Sequence, residues 1–321
     1  MRAVPRIFAS KCLGFAGCRW DGATINDRFI ERLGKFAEYI TTCPEMEIGL
    51  GCPREPVRVV MLKGKRALYQ PATGKELTGE MTTYREQYLN KLKKEELSGF
   101  ILKSRSPSCG IKDVKYFSST KETAGHTGGT SGLFGEGVLQ EFGALAVEDE
   151  GRLTNFSIRE NFLAKLFTHA EFLKVKKSGK AKDLVAFQAK NKLLLLSFSE
   201  REMRFLGKLV ANHERKPVKE ILEVYEEHLL EAFSKQMNFK AVINVLLHVL
   251  GYFKELLVKE EKIYFLESLE KYKKGKLPLS AVTGLLQMWI LKYKVQYLKE
   301  QTFFSPYPEE LADISDSGKG R

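Results

Sequence analysis

The chain contains no Cys-x-x-Cys pair and no His-x-x-x-His spacing, the patterns by which many zinc sites are recognised. Its glycine-rich stretch, residues 125–132, lacks the Gly-Lys-Ser/Thr ending of a phosphate-binding loop. That stretch reads as a mobile surface loop, with a lid over a site as the alternative. The longest apolar run, residues 241–253, is broken by Asn244 and His248, so it reads as a buried helix rather than a membrane span. Residues 1–10 carry charges and only a short apolar stretch, which is no secretory pattern. Cysteine is scarce and odd in number: five residues, Cys12, Cys18, Cys43, Cys52 and Cys109, all in the first third. A disulfide scaffold is therefore not expected, and a cytoplasmic protein with chemically active thiols is. No internal repeat is visible.

At 321 residues the chain is long enough for two domains, and 43% hydrophobic residues can fill their cores. The net charge of +12 is uneven: residues 1–150 carry +3 and residues 151–321 carry +9. A lysine-rich solvated helical surface is one reading of the basic half, and an electrostatic footprint for a polyanion such as RNA is the other.

The first half alternates in pattern. Residues 4–9, 57–62, 100–103 and 144–147 are short, apolar and strand-like, whereas residues 25–40 and 82–97 show helical spacing. Such alternation predicts an α/β domain with a mostly parallel sheet, whose sites form at the carboxyl ends of the strands. Composition changes near Glu148-Asp149-Glu150-Gly151. Beyond it an all-α half is expected, entered through a capping box at Ser157 and Glu160. Residues 174–183 read as a basic loop, Pro217 starts another helix, and two more occupy residues 241–258 and 285–298. The expected organisation is a domain over 1–151, a helical domain over 152–310, and a disordered tail over 311–321. His248 reads as a satisfied core histidine, and Trp289, Tyr293 and Tyr297 at four-residue spacing read as core.

Three cysteines sit in similar settings: Ser10-Lys11-Cys12-Leu13-Gly14, Cys43-Pro44-Glu45 and Ser106-Pro107-Ser108-Cys109-Gly110. Three thiolates brought together from separate loops can hold a metal cluster and leave one metal position open. Isolated buried thiols are the alternative, and spacing alone does not decide between them. Cys18 and Cys52 read as small thiols outside this set, Cys52 also being a conceivable fourth ligand.

These motifs, with Arg19-Trp20-Asp21-Gly22, Pro53-Arg54-Glu55-Pro56, the run from Lys103 to Gly110 and the stretch from Gly132 to Gly151, resemble the thiouracil desulfidase family. The resemblance covers about residues 5–151. It implies a [4Fe-4S] cluster held by Cys12, Cys43 and Cys109, with one iron not bound by protein. That iron would polarise a thiocarbonyl, water would attack the ring carbon, and sulfur would leave as sulfide without an external electron donor. Carried over, Glu45 is the acid/base carboxylate and Ser106 the catalytic serine, with Ser108 as the alternative serine. The alternative roles are a carboxylate that caps a helix or pairs with Arg54, and an ordinary turn hydroxyl. Asp21 and Arg54 either shape the site or serve a turn and a salt bridge.

The second half resembles, more loosely over about 155–300, the helical accessory domain often fused behind this one, through Arg159-Glu160-Asn161-Phe162, Leu206-Gly207 and His248 with Gly251-Tyr252-Phe253. Such fusions resemble desulfidases that act on 4-thiouridine in tRNA. The resemblance therefore implies tRNA as partner, with the basic half holding phosphates, and no membrane. Two other functions remain open at this point: desulfuration of free thiouracil or thionucleosides, and a non-catalytic iron–sulfur protein that binds RNA or senses redox state.

Overall fold

The computed structural model describes residues 2–62, 64–121 and 123–316. It divides into two compact units, one drawn from residues 1–173 and 308–321, the other from 174–307.

The first unit carries nine strands among its described residues. They are β1 (Arg6–Ser10), β2 (Glu38–Thr42), β3 (Arg58–Leu62), β4 (Lys65–Gln70), β5 (Lys75–Glu76), β6 (Gly99–Leu102), β7 (Val114–Phe117), β8 (His126–Thr130) and β9 (Ala146–Asp149). Its helices are α1 (Arg28–Leu33), α2 (Pro44–Glu47), α3 (Thr78–Leu92) and α4 (Leu133–Phe142), and α5 (Phe156–Ser178) runs on into the second unit. The strands form two sheets, ordered β2-β1-β6-β9 and β5-β4-β3-β7-β8. The first sheet is parallel throughout, as expected. Its central strands read Arg-Ile-Phe-Ala-Ser and Gly-Phe-Ile-Leu, and are buried from Ile7 to Ser10 and from Gly99 to Leu102, because a parallel sheet is covered on both faces. Phe8 joins the sheet to its helical cover, with ring centroids 5.5 Å from Phe100 and 5.7 Å from Phe134. The second sheet is antiparallel except where β3 meets β7.

Three local expectations change. The helical spacing of residues 25–40 yields only the six-residue α1, capped by the Asp27 carboxylate on the amides of Phe29 and Ile30, and residues 38–42 become β2. Five residues of β2 pair with β1, and that ladder outweighs the local pattern. The glycine-rich loop contains β8, paired with β7, so its backbone bonds are used in a sheet. The helix expected at 82–97 is α3, displaced four to five residues toward the N-terminus.

The second unit is helical among its described residues. After the end of α5 come α6 (Ala181–Phe198), α7 (Glu200–Ala211), α8 (Val218–Ala232), α9 (Phe239–Gly251), α10 (Lys259–Lys273), α11 (Leu279–Tyr293) and α12 (Gln296–Lys299). The capping box at Ser157 does not form. Asn155 caps α5 instead, its side-chain oxygen accepting from the Ile158 amide at 3.1 Å. The expected basic loop at 174–183 is mostly helix: α5 runs to Ser178, Gly179 turns the chain at φ +63°, and α6 begins at Ala181. Lysine stems tolerate helix well, so charge alone does not make a loop. Pro217 does precede α8. His248 is exposed rather than core, on the outer side of α9. Trp289 is buried, whereas Tyr293 and Tyr297 are half-buried. Of the tail expected to be disordered, residues 317–321 lie outside the described residues. Residues 311–316 are held down: Asp313 pairs with Arg32 at 2.8 Å, and the buried Arg159 donates to the Asp313 and Ser315 carbonyls. Among the described residues no helix is long and apolar enough to cross a membrane.

Candidate active site

Cys12, Cys43 and Cys109 follow β1, β2 and β6, three neighbouring strands of the parallel sheet. Their positions are set by the strand ends. The Lys11 amide bonds the Thr42 carbonyl at 3.0 Å, tying the β1 and β2 ends together, and the Lys103 amide donates to Ser10 Oγ at 2.9 Å, tying β1 to β6. Cys43 also starts α2, with Pro44 at its first position, where a missing amide hydrogen costs nothing.

The Cys109 loop is clamped by the start of α4. The amides of Phe134 and Gly135 both donate to the Ser108 carbonyl at 2.9 Å, and the Gly132 amide donates to Gly110 at 2.8 Å. A Cβ on Gly135 would lie 2.5 Å from the Cys109 carbonyl oxygen, and one on Gly132 would lie 2.5 Å from that of Ser108. Only glycine permits this approach.

All three cysteines are free, buried, and line one cavity of about 850 Å³. The structure adds Cys18, also buried, to the same wall. Cys18 stands six residues after Cys12, with nothing in that spacing to mark it. The turns after β1, with the Ile25 amide on the Cys12 carbonyl at 2.8 Å, bring it round. Cys52 stands apart: it does not line the cavity, and its Sγ lies 3.2 Å from the carbonyls of Gly17 and Arg19. Burial, then the neighbouring Cys43, pushes Cys12 up to about 11 and Cys18 up to about 12. Cys109 is raised further by burial, with Cys12 and Cys43 adding to it and a hydrogen bond with Ser10 opposing. Burial thus keeps Cys12, Cys18 and Cys109 protonated until a cation offsets the cost of forming a thiolate there. Among the described residues, no three His, Cys, Asp or Glu side chains close tightly enough for a single metal ion.

Glu45 and both serines line the same cavity. Glu45 is fixed from two sides. Arg54 grips Oε2 through Nε at 2.9 Å and Nη2 at 2.6 Å, and Ser108 Oγ donates to Oε1 at 2.7 Å. Arg54 is held in turn by the carbonyls of Cys18 and Gly51, at 3.0 and 2.9 Å. Burial, the largest single influence, pulls its pKa down, but Glu45 with Cys43 and Cys52 together hold it above the usual value. Ser106 Oγ accepts from the Cys109 amide at 3.1 Å and lies 3.0 Å from Ser108 Oγ. It therefore reaches Glu45 only through Ser108, the serine ranked second from the sequence. Asp21 makes a turn, accepting from the Ala23 amide at 3.1 Å, and does not line the cavity.

The mouth holds two residues that motif reading did not weigh as site residues. Trp20 is 48% exposed, and Arg105 is exposed with a left-handed backbone, φ +56°.

A family model described as 2-thiouracil desulfurase matches residues 7–150, and one described as a protein of unknown function, DUF1722, matches residues 192–308. The chain is 34% identical over 109 residues to the uncharacterized protein YbbK of Bacillus subtilis, spanning 32% of this chain and 72% of that protein. It is 26% identical over 154 residues to the uncharacterized protein YbgA of Escherichia coli, spanning 47% of this chain and 91% of that protein. Among solved structures it resembles a [4Fe-4S]-dependent thiouracil desulfidase, TudS, at 24% identity and a TM-score of 0.38, covering 46% of this chain and 93% of that one. With its cysteine-bearing domain matched along its length and a DUF1722 region behind it, the chain belongs to the 2-thiouracil desulfurase family.

Proposed function

We propose that the protein is an iron–sulfur-dependent hydrolase that removes sulfur from thiolated uracil, 4-thiouridine in tRNA being its substrate. The observation that carries this reading is the meeting of Cys12, Cys43 and Cys109 with Glu45 in one cavity, in a chain of this family. The donor set fits an iron–sulfur group: three free, buried thiols from three strand ends, with burial raising Cys12 and Cys109. Held by these thiolates, a [4Fe-4S] cluster with one iron not bound by protein would supply a soft Lewis acid for the thiocarbonyl sulfur.

The chain's own residues supply the rest. Glu45 accepts a proton from the attacking water, and Arg54 and Ser108 fix both carboxylate oxygens so that no reorganisation is needed at that moment. Ser106 reaches the same carboxylate through Ser108 and orients water at the wall. The reaction balances as water plus thiocarbonyl to carbonyl plus hydrogen sulfide, with no change of oxidation state. The tRNA reading rests on charge: residues 174–307 hold 25 of the 52 Lys and Arg but only 15 of the 40 Asp and Glu. The thiolated base must leave its stack to enter the cavity.

The test is anaerobic loading with iron and sulfide, followed by incubation with tRNA containing 4-thiouridine. Loss of the thione absorbance with matching sulfide release, absent in Cys109→Ala, is the expected result. A loaded protein that spares tRNA but consumes free thiouracil would replace the substrate, and one that consumes neither would overturn the reading.

A further inference from the structure

The Cys43 thiol has a neighbour that the proposed reaction does not use. Cys18 is buried on the wall shared by Cys12, Cys43 and Cys109, and stands outside that three-thiol set. Its side chain hydrogen-bonds with that of Cys43, and Cys43 Sγ donates to the Cys18 carbonyl at 3.6 Å. We propose that Cys18 and Cys43 form an oxidative modification site: a peroxide joins them as a disulfide when Cys43 holds no iron, and a thiol reductant reopens the pair for loading. The pairing stands on the thiols alone, and only its consequence for loading rests on the iron–sulfur reading.

The surroundings select this pair over the others. Cys12 and Cys109 feel Cys43 through charge alone, and the Cys109 thiol hydrogen-bonds with Ser10 instead. Cys52 does not line the cavity; its Sγ, 3.2 Å from the carbonyls of Gly17 and Arg19, pins both neighbours of Cys18. Arg54 pins Cys18 itself, Nη1 donating to its carbonyl at 3.0 Å, while Nη2 donates to Cys43 Sγ at 3.9 Å. One guanidinium therefore holds the two residues side by side. The cavity, at about 850 Å³, admits a small oxidant. The Cys43 sulfur takes one oxygen from hydrogen peroxide, giving a sulfenic acid and one water. The Cys18 sulfur then displaces that oxygen as a second water, and the sulfur–sulfur bond forms. Peroxide gains two electrons and the two thiols lose two. Without Cys18, the sulfenic acid meets a second peroxide and becomes a sulfinic acid, which thiols do not reverse. Cys18 is thus a resolving thiol that preserves a cluster ligand.

The experiment treats loaded protein with hydrogen peroxide, then with dithiothreitol and fresh iron and sulfide, and measures iron and sulfide per chain at each stage. Mass spectrometry after digestion with trypsin and chymotrypsin together assigns the linkage, since cuts after Phe15 and Leu50 part Cys12 from Cys18 and Cys43 from Cys52. The parent should show a peptide linking Cys18 to Cys43 after peroxide, and regain its iron and sulfide after reduction. Cys18→Ser should load normally when untreated, but after peroxide it should carry Cys43 as sulfinic acid and regain roughly tenfold less iron than the parent. Cys52→Ser, which keeps a donor to the Gly17 and Arg19 carbonyls, should match the parent. No disulfide, a disulfide from Cys43 to another cysteine, or a Cys18→Ser variant that recovers as the parent does, overturns the proposal. So does an untreated Cys18→Ser variant that fails to load where the parent loads, because Cys18 is then a ligand. If the parent takes up no cluster yet peroxide still links Cys18 to Cys43, the iron–sulfur reading fails and the pairing stands.

Discussion

Removing Arg54 should be the most costly single change in the cysteine domain. Its side chain is 4% exposed and that of Glu45 is 10% exposed, so the pair is closed off from water. Arg54→Met leaves the Glu45 carboxylate with only Ser108, and it strips the donor from the carbonyls of Cys18 and Gly51. Breaking one side of a buried, hydrogen-bonded pair costs about 3–5 kcal/mol. At about 2–4 °C per kcal/mol for a domain of this size, the midpoint should fall by roughly 6–20 °C. Thiol labelling under increasing urea reports on this domain alone, because all five cysteines lie between residues 12 and 109. The double variant Glu45→Met with Arg54→Met should lose less than the two single variants together, because neither partner is then left charged and buried. A loss below about 1 kcal/mol for Arg54→Met, or strict additivity in the cycle, would refute the argument that this pair holds the wall of the site.

Ser108→Ala should lower kcat more than it raises KM, by roughly tenfold to a hundredfold, since it frees one oxygen of the proton acceptor; steady-state kinetics with an unchanged cluster spectrum is the check. Gly135→Ala should push the Cys109 loop away from α4, and iron and sulfide content per chain after loading should drop; full loading would show that the 2.5 Å approach is not needed. Alkylation of the cluster-free protein at pH 8, read by mass spectrometry, should modify half-exposed Cys52 first. Cys12 and Cys18, raised to about 11 and about 12, remain neutral thiols there, and their rates should climb roughly tenfold per pH unit as the thiolate fraction grows. Equal rates for Cys12 and Cys52 at pH 8 would contradict the burial that raises Cys12.

The sequence by itself determined the class of each half and where chemistry was to be sought. Alternating short apolar runs and helical stretches imply an α/β layer, and strand-then-cysteine order places Cys12 and Cys109 at strand ends before any coordinates are known. Those are local properties, written in neighbouring residues. Only the tertiary structure decided what depends on pieces far apart in the chain. Residues 38–42 are a strand because β1 was there to pair with, and the glycine-rich stretch joins a sheet because β7 offered an edge. Cys18 reaches the thiol wall and Cys52 does not, although both flank motif residues. The order of serines along the wall, with Ser108 rather than Ser106 on Glu45, follows from how α4 clamps the Cys109 loop across more than twenty residues. His248 sits in an apolar stretch yet faces out, because a helix buries one face only and periodicity does not say which neighbour will cover it.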